Sequence, residues 1–203
     1  MKNLKVYKKC LIVVDMVNGF VKEGVLHDKE IANVIPRQIE LIEEYQKEGE
    51  LILFIRDVHE DNSIEFERFG NTKHCLKGTS EAEIVDELQP YTNMINTMIR
   101  TKNSTSYMMN PEIVKVIDEL INLERVDVVG CCTDICIVNG VVPMMNYFDQ
   151  KNRKVEVFVH EDAIETYNAP NHDREEYSKA AYLLMEQQGA KKVRKLGEMK
   201  YGK

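Results

Sequence analysis

Three of the five cysteines stand within six positions, in the stretch VDVVGCCTDICIVNG that covers residues 126–140. The stretch begins as an apolar run typical of a strand and continues like the first turns of a helix. Thr133 and Asp134 are residue types that cap helices, so Cys136 is predicted in the first helical turn. There the helix dipole favours a thiolate nucleophile, and free backbone N–H groups can hold an oxyanion. The alternative for Cys136 is apolar filler, the commoner role of a buried cysteine such as Cys131.

A thiol nucleophile needs a group that takes its proton and later returns one to the leaving group. No histidine occupies an obvious position for this task. Asp15 closes the first apolar run, CLIVVDM, and would reach Cys136 if the first and fourth strands are neighbours. Lys102, after the third run, would keep the carboxylate charged and stabilise the thiolate. A strand-end cap for Asp15 and a surface charge for Lys102 are the alternatives.

The segment from residue 58 to about 80 has no clear period and is rich in possible metal ligands. So long a loop is usually functional or disordered. Asp57 and His59 project from one side of an extended segment, and Glu65 and His74 follow them. Two imidazoles with carboxylates suit a divalent ion such as zinc, iron or manganese. The alternative is a solvated acidic loop.

Six short apolar runs alternate with segments of helical period. The runs, which we predict to be strands, are residues 10–16, 51–57, 97–101, 126–132, 155–160 and 191–196. Helices are predicted within 31–49, 111–123 and 173–189, and Pro143 should kink or shorten a further helix after Cys136. This alternation predicts a three-layer α/β/α fold with a mostly parallel sheet of about six strands. The candidate residues follow strand ends, so they should converge on one crevice.

The composition limits the possible functions. A length of 203 residues suits one domain, residues 1–203, and a net charge of −7 without a basic stripe argues against nucleic-acid binding. No apolar run approaches the roughly 20 residues of a membrane helix, and the lysine-flanked first run is too short for a signal peptide. Five cysteines, two of them adjacent, are not a secreted disulfide framework. We therefore expect a reduced, cytoplasmic setting.

The chain resembles the isochorismatase-like cysteine hydrolases over nearly its whole length, and it is most similar to the nicotinamidases. The pieces that carry the resemblance are VVDMVNGF, DVH, HCLKGT, TKNSTSY and GCCTDIC. The resemblance implies a Rossmann-like domain and a catalytic triad of Cys136, Asp15 and Lys102. It also implies an oxyanion hole formed by the backbone N–H groups of Cys132 and Cys136, beside a cis peptide that joins Cys131 to Cys132.

The same resemblance implies a metal site, because nicotinamidases carry Asp-x-His, a third ligand that is His or Glu, and a later His. Those positions correspond here to Asp57, His59, Glu65 and His74, with Glu67 as the alternative to Glu65. The expected cofactor is a divalent ion: zinc, iron or manganese. Relatives commonly form dimers or tetramers, so a homo-oligomer is expected.

The implied reaction is hydrolysis of nicotinamide to nicotinate and ammonia through a thioester, a step of NAD salvage. Phe20 would stack on the substrate ring. Phe69 would replace the aromatic residue that nicotinamidases often have before the His-Cys pair, and STSYMM stands where Ser-Ala-Phe is common. Three alternatives stay open. The chain could be a metal-free family amidase for another small amide or ureide, a redox or ligand-binding domain in which Cys132 and Cys136 form a disulfide, or a catalytically silent scaffold.

Overall fold

The computed structural model describes residues 3–194, which form one six-stranded sheet flanked by helices. The strands are β1 (Lys9–Val14), β2 (Leu51–Asp57), β3 (Thr97–Lys102), β4 (Arg125–Cys131), β5 (Glu156–Glu165) and β6 (Lys191–Val193). Their order is β3-β2-β1-β4-β5-β6, and every neighbouring pair is parallel. This is the Rossmann order, in which the chain switches direction between β1 and β4. The predicted three-layer fold with a parallel sheet is confirmed.

The helices lie on both faces of this sheet. The α-helices are α1 (Asn18–Val21), α2 (Ile35–Glu48), α3 (Glu65–Arg68), α4 (Pro111–Glu119), α5 (Val138–Gln150) and α6 (Arg174–Gln187). Short 3-10 helices are Leu4–Val6, Lys29–Val34, Ser80–Ala82, Gln89–Tyr91 and Tyr107–Met109, and Thr133–Ile137 is a π-helical turn. None of the helices in the described part of the chain has the length and apolar character needed to span a bilayer.

Two apolar cores cover the sheet, one on each face. Cys10, Ile12 and Val14 of β1 pack into the core formed with α4, α5 and α6. Leu11 and Val13 point the other way and pack with α2 and the segments around α1. Successive strand residues alternate between faces, so an uninterrupted apolar run is what a strand covered on both sides requires.

Local signals start the predicted helices at the expected places. The Asn110 side chain accepts a hydrogen bond from the Glu112 N–H at 2.9 Å, and Pro111 occupies the first position of α4. Helix α4 stops at Glu119, before the predicted limit at residue 123, and Ile121 beyond its end is 59% exposed.

The ends of α5 and β6 differ from their predictions. Pro143 lies inside α5, which continues to Gln150, so the predicted shortening of this helix does not occur. The last strand covers only Lys191–Val193. Residues 195–196 of the predicted strand lie outside the described residues.

Candidate active site

Charged side chains from three adjacent strands meet at the carboxyl edge of the sheet. Asp15 follows β1, Asp57 ends β2 and Lys102 ends β3, and Asp57 and Lys102 are register partners. The Lys102 Nζ lies 2.8 Å from Asp15 Oδ2 and 2.7 Å from Asp57 Oδ1. All three side chains are buried. A buried ammonium is tolerated here because two carboxylates face it.

Cys136 reaches this cluster because β4 is the direct neighbour of β1. Its thiol lies beside the Asp15 carboxylate and acts to lower the pKa of that group. The close approach of the two strands depends on Gly130, where a Cβ would lie 2.0 Å from the Val14 carbonyl oxygen. Gly130 also has a φ of +126°, a conformation that other residues rarely adopt. Asp15, Lys102 and Cys136 therefore lie together, while their catalytic roles stay a prediction.

The turn that carries Cys136 differs from its prediction. Residues Thr133–Ile137 form a π-helical turn, and Cys132 occupies the N-cap without a side-chain hydrogen bond. The prediction of Thr133 or Asp134 as the cap is wrong, because the Asp134 carboxylate bonds to residues of another segment. The peptide between Cys131 and Cys132 is cis, as the resemblance implied.

The protonation of the three groups follows from their burial. Burial raises the pKa of Asp15 to about 6, against the opposing charge of Lys102. Burial also raises the pKa of Cys136 well above its ordinary range, with Lys102 again opposing. Burial acts to lower the pKa of Lys102, but the carboxylates of Asp15 and Asp57 hold it well above its usual range. Burial therefore favours the neutral thiol of Cys136, and it opposes the thiolate that the place of this residue at the start of a helix was expected to favour.

The four predicted metal ligands form one buried cluster, which we call the metal quartet: Asp57, His59, Glu65 and His74. Their ligand atoms all lie within 4.8 Å of one another. His59 Nε2 is 2.8 Å from Asp57 Oδ2 and 3.7 Å from Glu65 Oε1. Glu67 is exposed and lies outside this cluster, so Glu65 is the carboxylate in place.

Both imidazoles of the metal quartet direct Nε2 at the carboxylates of Asp57 and Glu65. His59 Nδ1 donates to Asn103 Oδ1 at 2.8 Å, and His74 Nδ1 donates to the Thr72 carbonyl at 3.0 Å. A proton on Nδ1 satisfies both acceptors, and in that tautomer the Nε2 lone pair is available to a metal ion, which would replace the 2.8 Å contact of His59 Nε2 with Asp57 Oδ2. Two imidazole nitrogens with two carboxylates are a donor set for zinc, iron or manganese, so the residues fit a divalent metal.

A small apolar pocket lies between the metal quartet and the cysteine turn. Its lining is Phe20, Leu26, Asp57, Glu65, Phe69, His74, Thr105, Cys132, Ile135 and Cys136. The ring of Phe20 lies 5.9 Å from that of His74, and the ring of Phe69 lies 6.4 Å from it. Both aromatic residues named from the sequence therefore reach the pocket, and their contact with a substrate stays a prediction.

Sequence reasoning missed the residues that support the ligands. Asn103 and the Thr72 carbonyl orient the two imidazoles, and Phe66 packs edge-on against both, at 5.1 Å from His59 and 5.4 Å from His74. The position of Asn103 beside Lys102 was the only available signal. The contact with the Thr72 carbonyl could not be predicted, because every residue type has a backbone carbonyl.

The doubly wound sheet and the charged cluster at its switch point define an α/β protein with its functional centre at the carboxyl ends of the strands. Residues 9–193 match the sequence model of the isochorismatase domain. The chain therefore belongs to the isochorismatase family, and the prediction of an isochorismatase-like hydrolase similar to nicotinamidases is confirmed.

Three similar proteins illustrate this relationship. Nicotinamidase 1 of Arabidopsis thaliana is 25% identical over 180 residues, which are 80% of this chain and 71% of the relative. The pyrazinamidase of Pyrococcus horikoshii, solved in complex with zinc, has a TM-score of 0.74 and 27% identity, over 92% of this chain and 99% of that one. The nicotinamidase of Bacillus subtilis has a TM-score of 0.75 at 22% identity with the same coverage, which shows the shared fold.

Proposed function

We propose that this hydrolase cleaves the carboxamide of nicotinamide, releasing nicotinate and ammonia through a thioester on Cys136. The observation that carries the proposal is the meeting of Asp15, Lys102 and Cys136 beside the metal quartet, with Cys136 and three of the four quartet residues lining one pocket. The nicotinamidase and pyrazinamidase relatives support the choice of a pyridine or pyrazine amide. The product assigns the enzyme to pyridine nucleotide salvage.

The acylation half of the reaction uses the resting protonation of the site. Asp15 accepts the proton of the Cys136 thiol while the sulfur attacks the amide carbon, so no free buried thiolate has to accumulate. The backbone N–H groups of Cys132 and Cys136 stabilise the oxyanion of the tetrahedral intermediate. Asp15 then protonates the departing nitrogen, the C–N bond breaks and ammonia leaves. The acyl group remains on Cys136 as a thioester.

Deacylation repeats the same steps with water as the nucleophile. Asp15 removes a proton from the water molecule as the water oxygen attacks the thioester carbon. The C–S bond breaks, the proton returns to the Cys136 sulfur, and the carboxylic acid is released. Lys102 holds Asp15 in place throughout, through the 2.8 Å contact with its carboxylate.

The metal quartet would hold the divalent cofactor, for which the zinc complex of the pyrazinamidase makes zinc the first choice over iron or manganese. A bound ion supplies a coordination position for the pyridine nitrogen, which orients the ring. Phe20, Leu26 and Ile135 give the pocket apolar walls for a flat ring. Together these residues place the carboxamide near Cys136.

The direct test compares two amides of nearly equal shape. Purified, zinc-loaded protein should release ammonia from nicotinamide with a kcat/KM at least about a hundredfold above that for benzamide, which lacks the ring nitrogen. Pyrazinamide and small ureides complete the panel. Cleavage of a ureide with no ammonia from nicotinamide would overturn the substrate assignment and favour the metal-free amidase.

Removal of the metal should weaken binding of the pyridine substrate. Protein dialysed against a chelator is expected to lose at least about tenfold in kcat/KM for nicotinamide and to recover it when zinc is restored. Elemental analysis before and after dialysis provides the control. Full activity in protein shown to be metal-free would contradict the proposed role of the metal quartet.

The pH dependence of kcat/KM should follow the ionisation of the Asp15 carboxylate. Because burial raises its pKa to about 6, Asp15 is ionised above that pH and protonated below it. Only the ionised form accepts the thiol proton, so kcat/KM should fall about tenfold per pH unit below this pKa. Rates are measured between about pH 5 and 9 with bound metal checked at every point, because acid also releases metal ions. A midpoint of the kcat/KM profile near pH 4, the pKa of an unperturbed aspartate, would argue against Asp15 as the titrating group.

The proposal includes two expectations about the setting of the enzyme. The partner is a small-molecule amide, and the chain assembles as a homo-oligomer in the cytoplasm. Sedimentation of the purified protein measures the assembly.

A further inference from the structure

Both oxygens of the Asp134 carboxylate accept hydrogen bonds, and both donors lie outside the turn that carries Asp134. Asp134 Oδ1 accepts a hydrogen bond from Thr166 Oγ1 at 2.6 Å, and Oδ2 accepts from His172 Nε2 at 2.8 Å. Both partners belong to the segment after β5, which is 32 and 38 residues further along the chain. Asp134 lies two residues before Cys136 in the same π-helical turn.

His172 is held as firmly as a buried core residue. Its ring stacks between the rings of Tyr167 and Tyr177, each with a centroid distance of 3.9 Å. Its Nδ1 lies 3.1 Å from the Tyr167 carbonyl, and only 7% of the residue is exposed. The imidazole therefore presents Nε2 to Asp134 in one fixed orientation.

The segment that carries these contacts, residues 166–174, also forms the mouth of the site. Tyr167 lines a cleft of about 670 Å³ that shares Phe20, Ile135 and Cys132 with the site pocket. Arg174, at the other end of the segment, contacts Asp28, a further residue of the cleft lining, at 2.7 Å. His172 thus joins the mouth of the site to the turn that carries the nucleophile.

We propose that Asp134 and His172 are positioning residues, which fix the Cys136 turn so that its sulfur and backbone N–H groups face the substrate. The inference rests on the proposed role of Cys136 as the nucleophile. The turn has no side-chain cap of its own, and its first helical residues lack the regular α-helical hydrogen bonds. The link from Asp134 to Thr166 and His172 replaces that missing constraint.

The decisive variant is His172→Phe, which keeps an aromatic ring between the two tyrosines and removes the donor to Asp134. A displacement of about 1 Å at the reacting atoms lowers rates by up to about a hundredfold, so kcat should fall ten- to a hundredfold. KM should change by less than about threefold, because the pocket walls and the metal quartet remain. Thr166→Val removes the other bond to Asp134 and should give a smaller loss in the same direction.

The chain offers a matched control at the opposite end of the sheet. His160 donates from Nε2 to Asp127 at 2.5 Å, so this is a second buried Asp–His pair, in the amino-terminal half of β4. His160→Phe should reduce the melting temperature by about as much as His172→Phe does, while its kcat changes by less than about twofold. His172→Gln, which restores an N–H donor, should recover part of the lost kcat. If kcat falls no further in His172→Phe than in His160→Phe, the positioning role is refuted.

A second measurement separates this inference from the proposed function. The rate at which iodoacetamide alkylates Cys136, followed by mass spectrometry of its peptide, requires no substrate turnover. The rate should fall in His172→Phe and stay at the wild-type value in His160→Phe. If Cys136→Ala retains turnover, the proposed function fails, and the alkylation rates still decide the positioning role. If turnover depends on Cys136 and the alkylation rates of both His variants are equal, only the positioning role fails.

Discussion

Turnover of nicotinamide should fall at least about ten-thousandfold when Cys136 is replaced by alanine, the size of loss that follows removal of a covalent nucleophile. The remaining site would still bind the amide, because the pocket walls and the metal quartet are unchanged. KM should therefore change much less than kcat. Ammonia release under substrate saturation measures the effect.

Cys10→Ala is the matched control for this substitution. Cys10 is another buried thiol, 2% exposed, but it lies near the start of β1 and away from the carboxyl edge of the sheet. Its loss should leave kcat within about twofold of the wild-type value, apart from a modest decrease in stability. A Cys136→Ala protein that works within tenfold of the wild type would exclude the thioester route. An acyl adduct on the Cys136 peptide, trapped by acid quench, would be independent support.

Lys102→Met should damage both stability and turnover. The ammonium is the buried counterion of Asp15 and Asp57, and removal of one partner from a buried ion pair costs about 3–5 kcal/mol of unfolding free energy. Without that charge the carboxyl of Asp15, whose pKa burial already raises, should bind a proton at neutral pH. A protonated Asp15 cannot accept the thiol proton, so kcat should fall about a thousandfold or more.

Urea unfolding and ammonia release are measured on the same metal-loaded preparation. Lys115→Met is the control, because Lys115 is an exposed lysine whose contact with Glu119 is 4.0 Å. Such surface pairs contribute little, so its unfolding free energy should change by less than about 1 kcal/mol. A Lys102→Met protein with wild-type stability would show that the buried carboxylates do not depend on this ammonium.

Much of the site could be predicted because apolar strand runs end in charged residues. Asp15, Asp57 and Lys102 each close such a run, and the carboxyl ends of parallel strands share one edge. The short spacing of Asp57 and His59 likewise placed two ligands on one side of the chain. These features depend on local sequence and on one general rule of sheet geometry.

The remaining features depend on contacts that local sequence does not contain. Asp134 has a good capping side chain, but partners in a distant segment take both of its oxygens. The place of Cys136 at the start of a helix was expected to favour its thiolate, and burial in the folded protein opposes that form. The identity of the third predicted ligand was open between Glu65 and Glu67, and the fold of the loop places Glu65 inside the cluster.

Asp57 serves two neighbours with one side chain: Oδ1 lies 2.7 Å from Lys102 Nζ, and Oδ2 lies 2.8 Å from His59 Nε2. Its single negative charge is therefore shared between the ammonium that also faces Asp15 and an imidazole of the metal quartet. A substitution of Glu65 would remove contacts within the quartet alone, because its contacts there are with His59 and His74. A substitution of Asp57 would weaken the buried ion pair and the quartet together, so the two clusters cannot be altered independently at this position.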